Sequence, residues 1–261
     1  MPQFAANISM MFNELPFLDR FAAARAAGFT AVEFLFPYEH PAAELAARLR
    51  DSGLEQVLFN APPGDWAAGE RGTASLPGRQ QEFRDGILRA LDYAGALGCP
   101  RLHVMAGMTP VGVAPGTLTG LYAINLAWAA ERAMAQGVTC VIEPINQRDM
   151  PGYALTGTAN AVAVIEAVGR DRLGLQFDLY HTQITEGDLV PRARALLPWI
   201  KHMQVADTPG RHEPGTGEVN WPFVFAQIDE MGFDGWIGCE YRPADDTLAG
   251  LGWFAPYKTG A

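Results

Sequence analysis

Short apolar runs recur along the chain, each preceded by an alanine-rich stretch and a glycine. Residues 22–27 lead to Gly28 and then to the apolar run 31–36. The same order appears at 91–97, Gly98 and 101–105, and again at 129–136, Gly137 and 139–143. It closes with 223–231, Gly232 and 235–240. The alanine-rich stretches predict helices, and a glycine just beyond a helix suits the left-handed position that turns the chain into the next strand.

Read in this way, strands are predicted at 4–10, 31–36, 54–60, 101–105, 139–143, 173–178, 200–205 and 235–240. Helical patterns separate them throughout. Strands that are nearly continuously apolar and alternate with helices predict a parallel sheet covered by helices. Eight such units favour closure into one (β/α)8 TIM barrel over an open sheet, and 261 residues is a common size for it. No linker or shift in composition divides the chain, so a single domain over 1–261 is expected.

Three irregular segments interrupt the alternation: 60–78, 105–116 and 208–220. All follow strands, on the side where barrel enzymes place their sites. The first holds Gly64-Asp-Trp-Ala-Ala-Gly-Glu-Arg-Gly72, rich in glycine and charge for a connector. Loops of that length are often lids.

Composition narrows the function. A formal net charge of −10 works against binding a polyanion over a broad surface, so nucleic acid is an unexpected partner. No run of about 18 apolar residues offers a membrane span, and the first residues lack the pattern of a signal peptide. A cytoplasmic address is the expectation. Cys99, Cys140 and Cys239 form no CxxC pair and read as small buried thiols. The apolar stretch 223–225 fits either a homo-oligomer interface or packing against the barrel.

The polar ends of the strands carry the chemistry. Glu143, Asp178, Gln204 and Glu240 each close an apolar run on strands five to eight. Singly, such a residue reads as a salt-bridge partner or a solvated tip. An acid ending a buried strand is costly unless something pairs with it, and four oxygen-bearing groups from successive strands favour convergence on a cation. Oxygen donors without thiolates suit Mg2+ or Mn2+. Two carboxylates beside a polarised carbonyl can remove a proton from the neighbouring carbon and return it, through an enediolate. Return to the adjacent carbon is aldose–ketose isomerisation; return to the opposite face of the same carbon is epimerisation. The residues alone leave both open.

Val141-Ile-Glu-Pro-Ile-Asn146, Phe177-Asp-Leu-Tyr-His181, Arg211-His-Glu-Pro-Gly-Thr-Gly-Glu218 and Gly238-Cys-Glu-Tyr241 resemble the hydroxypyruvate isomerase family, as does the 64–72 loop. The resemblance runs over essentially the whole chain. It places the sequence among xylose-isomerase-like barrels, which include ketose 3-epimerases and an endonuclease branch. It implies that Glu143 and Glu240 are the proton donor and acceptor. It also implies that Glu143, Asp178, Gln204 and Glu240 ligate a divalent metal. In related ketose epimerases a histidine holds the third ligand position, and Gln204 departs from that pattern. His181 matches a substrate-contacting histidine of the related barrels.

Arg71 and Arg211 are candidates to grip a substrate carboxylate through paired hydrogen bonds. Glu213 and Glu218 are alternative partners for Arg211. Trp66 either closes over substrate or anchors its loop. His103 either faces the pocket or is a hydrogen-bonded core imidazole, and Glu33 has no assigned role. The implied reaction is conversion of hydroxypyruvate to tartronate semialdehyde, or isomerisation of a 2-oxo-tetronate. The alternatives are a ketose 3-epimerase acting on free neutral sugars, a DNA-repair hydrolase and a non-catalytic barrel.

Overall fold

In the computed structural model, which describes residues 1–258, eight parallel strands pair in chain order and close on themselves. They are β1 (Gln3–Asn7), β2 (Ala31–Glu33), β3 (Glu55–Asn60), β4 (Arg101–His103), β5 (Thr139–Ile142), β6 (Leu173–Asp178), β7 (Ile200–Gln204) and β8 (Trp236–Cys239). Between and after them run α1 (Arg20–Ala26), α2 (Ala42–Ser52), α3 (Gln80–Leu97), α4 (Pro115–Met134), α5 (Thr158–Val168), α6 (Leu179–Thr185), α7 (Leu189–Leu196) and α8 (Trp221–Glu230). This is the (β/α)8 TIM barrel the alternation predicts. No described helix is long and apolar enough to cross a membrane.

Most strands stop earlier than their apolar runs. Residues 8–10 leave β1 in a turn, with the Met10 N–H bonded to the Asn7 carbonyl at 3.0 Å. Residues 34–36 and 104–105 likewise belong to loops. Ile8, Phe34, Val104 and Met105 pack into the main core, whereas Met10 and Leu35 line the cavity above it. Glu143 and Glu240 therefore sit one position beyond β5 and β8, while Asp178 and Gln204 are the last residues of β6 and β7. Helix α3 reaches back to Gln80, well before the alanine-rich stretch at 91–97. Gly98 ends it in the left-handed conformation at φ 63°, as expected.

The main apolar core lies between the strands and their covering helices. At one end, Phe4 meets Phe225 at 4.9 Å, Trp253 at 5.1 Å and Tyr257 at 5.1 Å, mostly edge to face. The two buried rings, Phe4 and Phe225, each contribute roughly 1.5–3 kcal/mol. These contacts seal the C-terminal 3-10 helix (Ala249–Tyr257) against β1 and α8. Phe225 belongs to this core; Phe223, two residues earlier, remains exposed.

Inside the barrel the composition is different. Side chains alternate across a strand, so Gln176 and Asp178, His202 and Gln204, and Asn7 two residues after Ala5 share the inner face. Ala5, Ala31 and Val57, with Trp236, form a small apolar layer of their own. Further along the strands the interior is polar. Register pairs Asn7 with Glu33, Asn60 with His103, and Asp178 with Gln204. Each pair couples side chains that are far apart in sequence.

Candidate active site

Glu143, Asp178, His181 and Glu240 converge at the C-terminal mouth of the barrel. Each offers one ligand atom, all lie within 4.8 Å of one another, and all four residues are buried. Asp178 divides its labour: Oδ1 accepts from the backbone N–H groups of Tyr180 (2.7 Å) and His181 (3.4 Å), capping α6. Its Oδ2 is buried without a hydrogen-bond partner, as is Glu143 Oε1. Both stand close to His181 Nε2, at 3.6 and 3.8 Å, distances too long for hydrogen bonds.

Three buried carboxyl groups here face one cation, Arg211. Its Nη2 donates to Glu240 Oε2 at 2.6 Å, and its guanidinium lies 5.0 Å from the centre of the Tyr180 ring. The sequence neighbours Glu213 and Glu218 do not take it: Glu213 accepts from Ala244 N, and Glu218 from the Thr208 hydroxyl. Arg211 is held in the left-handed region at φ 57°, which costs a non-glycine residue about 1–3 kcal/mol. Backbone bonds on both sides, Arg211 N–H to Asp207 O and Arg242 N–H to Arg211 O, fix it there.

One positive charge does not balance three carboxylates taken out of water. Burial, then Glu240 and Asp178, push the Glu143 carboxyl well above its ordinary range. Burial raises Asp178 as well, with Arg211 opposing it. Glu240 is pushed up to about 8 by burial, against the pull of Arg211. Unpartnered oxygens and excess negative charge are what a divalent cation would correct, so the oxygen-rich donor set fits a hard metal ion.

Gln204 lies beside Asp178 in the sheet but bonds away from this cluster. Its Oε1 accepts from Gln176 Nε2 at 2.6 Å, and its Nε2 donates to Glu33 Oε1 at 2.8 Å. Glu33, fully buried, also accepts from Asn7 Nδ2 at 2.9 Å and meets His202 Nε2 at 2.6 Å. The absent side chain of Gly238 makes room for it, since a methyl there would collide with the carboxylate.

Two imidazoles flank Glu143 with their orientations fixed by asparagines. Asn146 Oδ1 accepts from Asp149 N at 2.8 Å, which turns its Nδ2 onto His181 Nδ1 at 2.6 Å. His181 therefore carries its proton on Nε2. His103 Nδ1 meets Asn60 Oδ1 at 3.2 Å, so its proton sits on Nδ1. Burial lowers both imidazoles, His103 to about 3 and His181 well below its ordinary value, which keeps them neutral.

Above these groups opens a cavity of about 640 Å3. Trp66 and Arg71 reach it from the 60–78 loop, Tyr180 and Asp149 from the side, and Arg211 and Arg242 from the opposite rim. The Arg71 guanidinium stacks 3.7 Å from the Trp66 ring, and its Nη1 donates to the backbone oxygens of Trp66 (3.1 Å) and Glu70 (2.7 Å). Trp66, 40% exposed, leans on Phe36 at 5.0 Å. The base of this loop is tied down: Gly72 N–H bonds to the Pro63 carbonyl at 2.8 Å, and Ser75 N–H to Ala106 at 2.9 Å. Gly72 and Gly107 lie back to back, where a methyl on either would strike the other loop's backbone. Arg242 and the two orienting asparagines escaped the reading of the sequence. Asn146 carried a signal, three residues beyond Glu143; Asn60 carried none.

The model of the xylose isomerase-like TIM barrel family matches residues 21–257, and the chain belongs to that family. A 2-oxo-tetronate isomerase of Cupriavidus necator is 58% identical over 98% of this chain and 99% of its own length. A hydroxypyruvate isomerase of Escherichia coli is 45% identical over 99% and 100%. The chain is accordingly an isomerase. A crystal structure named AP endonuclease, family 2, from Brucella melitensis superposes with a TM-score of 0.97 at 48% identity, covering 99% of this chain and 100% of that one. L-ribulose 3-epimerase, at 22% identity and a TM-score of 0.77, shares the fold.

Proposed function

We propose that this isomerase acts on a small hydroxy-oxo acid, hydroxypyruvate or a 2-oxo-tetronate, by moving a proton between adjacent carbons through an enediolate. The observation that carries this reading is the set of buried, unpaired carboxyl oxygens on Glu143 and Asp178 beside Glu240 and Arg211. The names of the two isomerase relatives supply the substrate class.

Glu143, Asp178, Gln204 and Glu240 would hold Mg2+ or Mn2+; Gln204 would take part by turning its oxygen from Gln176. The bound ion supplies Lewis-acid polarisation of the substrate carbonyl and neutralises the carboxylates around it. Glu143 and Glu240 form the proton-transfer pair. One takes the proton from the hydroxyl-bearing carbon and the other returns one to the former carbonyl carbon, while the hydroxyl proton passes to the former carbonyl oxygen. Their raised pKa values bring them closer to the proton-transfer range of neutral solution than free carboxylates are. Arg211 orients Glu240. Arg71, with Trp66 stacked on it, offers the substrate carboxylate its partner from the lid side, and His181 presents Nε2–H to a substrate oxygen.

The arginines at the cavity mouth favour an acid over a neutral ketose, for which a 3-epimerase would need none of them. The net charge of −10 disfavours the DNA chemistry in the name of the Brucella structure. The test is turnover of both acids by purified protein with Mg2+ or Mn2+, followed by proton NMR. Inactivity toward both defeats the proposal, and cleavage of abasic DNA would replace it.

A further inference from the structure

We propose that His103 accepts the hydrogen bond of the substrate hydroxyl group and so selects hydroxy-oxo acids over their deoxy counterparts. The inference rests on the isomerase reading just given and assigns a partner for one particular atom of the substrate.

The imidazole is 1% exposed and lines the cavity. Its Nδ1–H is spent on Asn60 Oδ1, its neighbour across the β3–β4 pairing. Its Nε2 is then a lone pair, buried and without a hydrogen-bond partner. The nearest charged atom is Glu143 Oε2, 3.8 Å away. That atom is no donor once ionised, and two acceptors that face each other across such a gap repel. A hydroxyl placed beside them gives the lone pair the proton it lacks.

His181, on the other side of Glu143, has the opposite tautomer. The substrate carries the matching pair, a carbonyl oxygen that needs a donor and an adjacent hydroxyl that needs an acceptor. Two imidazoles of the same tautomer would recognise only one of these oxygens. The two asparagines therefore set the polarity of the site, Asn146 making a donor and Asn60 an acceptor. A site with a buried acceptor rejects a ligand that lacks the hydroxyl, since the lone pair is then left unsatisfied.

The probes are hydroxypyruvate, 2-oxo-tetronate and pyruvate, which is hydroxypyruvate without its hydroxyl. In His103→Leu the KM for hydroxypyruvate should rise about 10- to 100-fold, while the inhibition constant of pyruvate moves less than about threefold. His103→Gln returns an oxygen acceptor and should recover most of the loss. Asn60→Leu frees the tautomer and should show the same selective loss in milder form, which covers the case of a His103→Leu chain that does not fold. Equal weakening of both acids, or no change in either, overturns the assignment while leaving the isomerase reading intact. A wild-type protein inert toward hydroxypyruvate and 2-oxo-tetronate overturns both.

Discussion

The barrel interior holds two buried carboxylate groups that differ in how their hydrogen bonds are completed. Glu33 is surrounded by donors from Asn7, His202 and Gln204, on two different strands, and both its oxygens are satisfied. Glu143, Asp178 and Glu240 lie at the mouth, share one arginine, and leave buried oxygens unpaired. Both are costly to bury. The inner one recovers the cost within the protein. The outer one does not, and that deficit marks where a ligand is wanted.

Perturbing each group should separate the two roles. The largest effect is expected from Glu143→Gln or Glu240→Gln, each lowering kcat roughly 1,000-fold. Melting temperature should hold or rise, because a repelling charge is removed. A large fall in melting temperature would make the outer group structural as well. Glu33→Ala should do the reverse, leaving three donors without their acceptor. Its cost is about 3–5 kcal/mol, on the order of 10 °C in a thermal melt.

Titration sharpens the contrast further. The pKa of Glu240 is near 8 in the folded chain and 4.5 in its ordinary state, so the fold favours the protonated form. Without metal, that stability is fully present below about pH 4.5 and is lost as pH rises toward 8. A divalent ion requires the ionised form, so Mn2+ should raise the melting temperature more at pH 8 than at pH 5.5. An equal shift at both would detach the metal from these carboxylates. Smallest of all, Arg71→Ala should raise the KM for hydroxypyruvate roughly 10-fold and leave inhibition by neutral ketoses unchanged.

The outer group was legible in the sequence because each member ends or follows an apolar strand. Helix, glycine and strand recur in a fixed order, and that order carried the barrel as well. The inner group was not legible, since it depends on register: Glu33 meets Asn7 through one pairing and His202 across the barrel. The Glu240 partner of Arg211 was not among the alternatives weighed, for a related reason. Glu213 and Glu218 are near it along the chain, whereas Glu240 follows the neighbouring strand and is nearer in space. Strand ends were overrun because apolar loop residues such as Met10 and Met105 are buried like strand residues.

The back-to-back contact of Gly72 with Gly107 has a consequence for how such an enzyme changes over time. Just after it, Ser75 N–H is bonded to the Ala106 carbonyl, whereas residues 64–71 form a loop closed at its base by the Gly72–Pro63 bond and braced at Glu70 by Arg79. Rewriting that loop alters what covers the cavity without disturbing the carboxylates beneath. Substitutions there can change what the cavity admits while the carboxylate cluster stays in place.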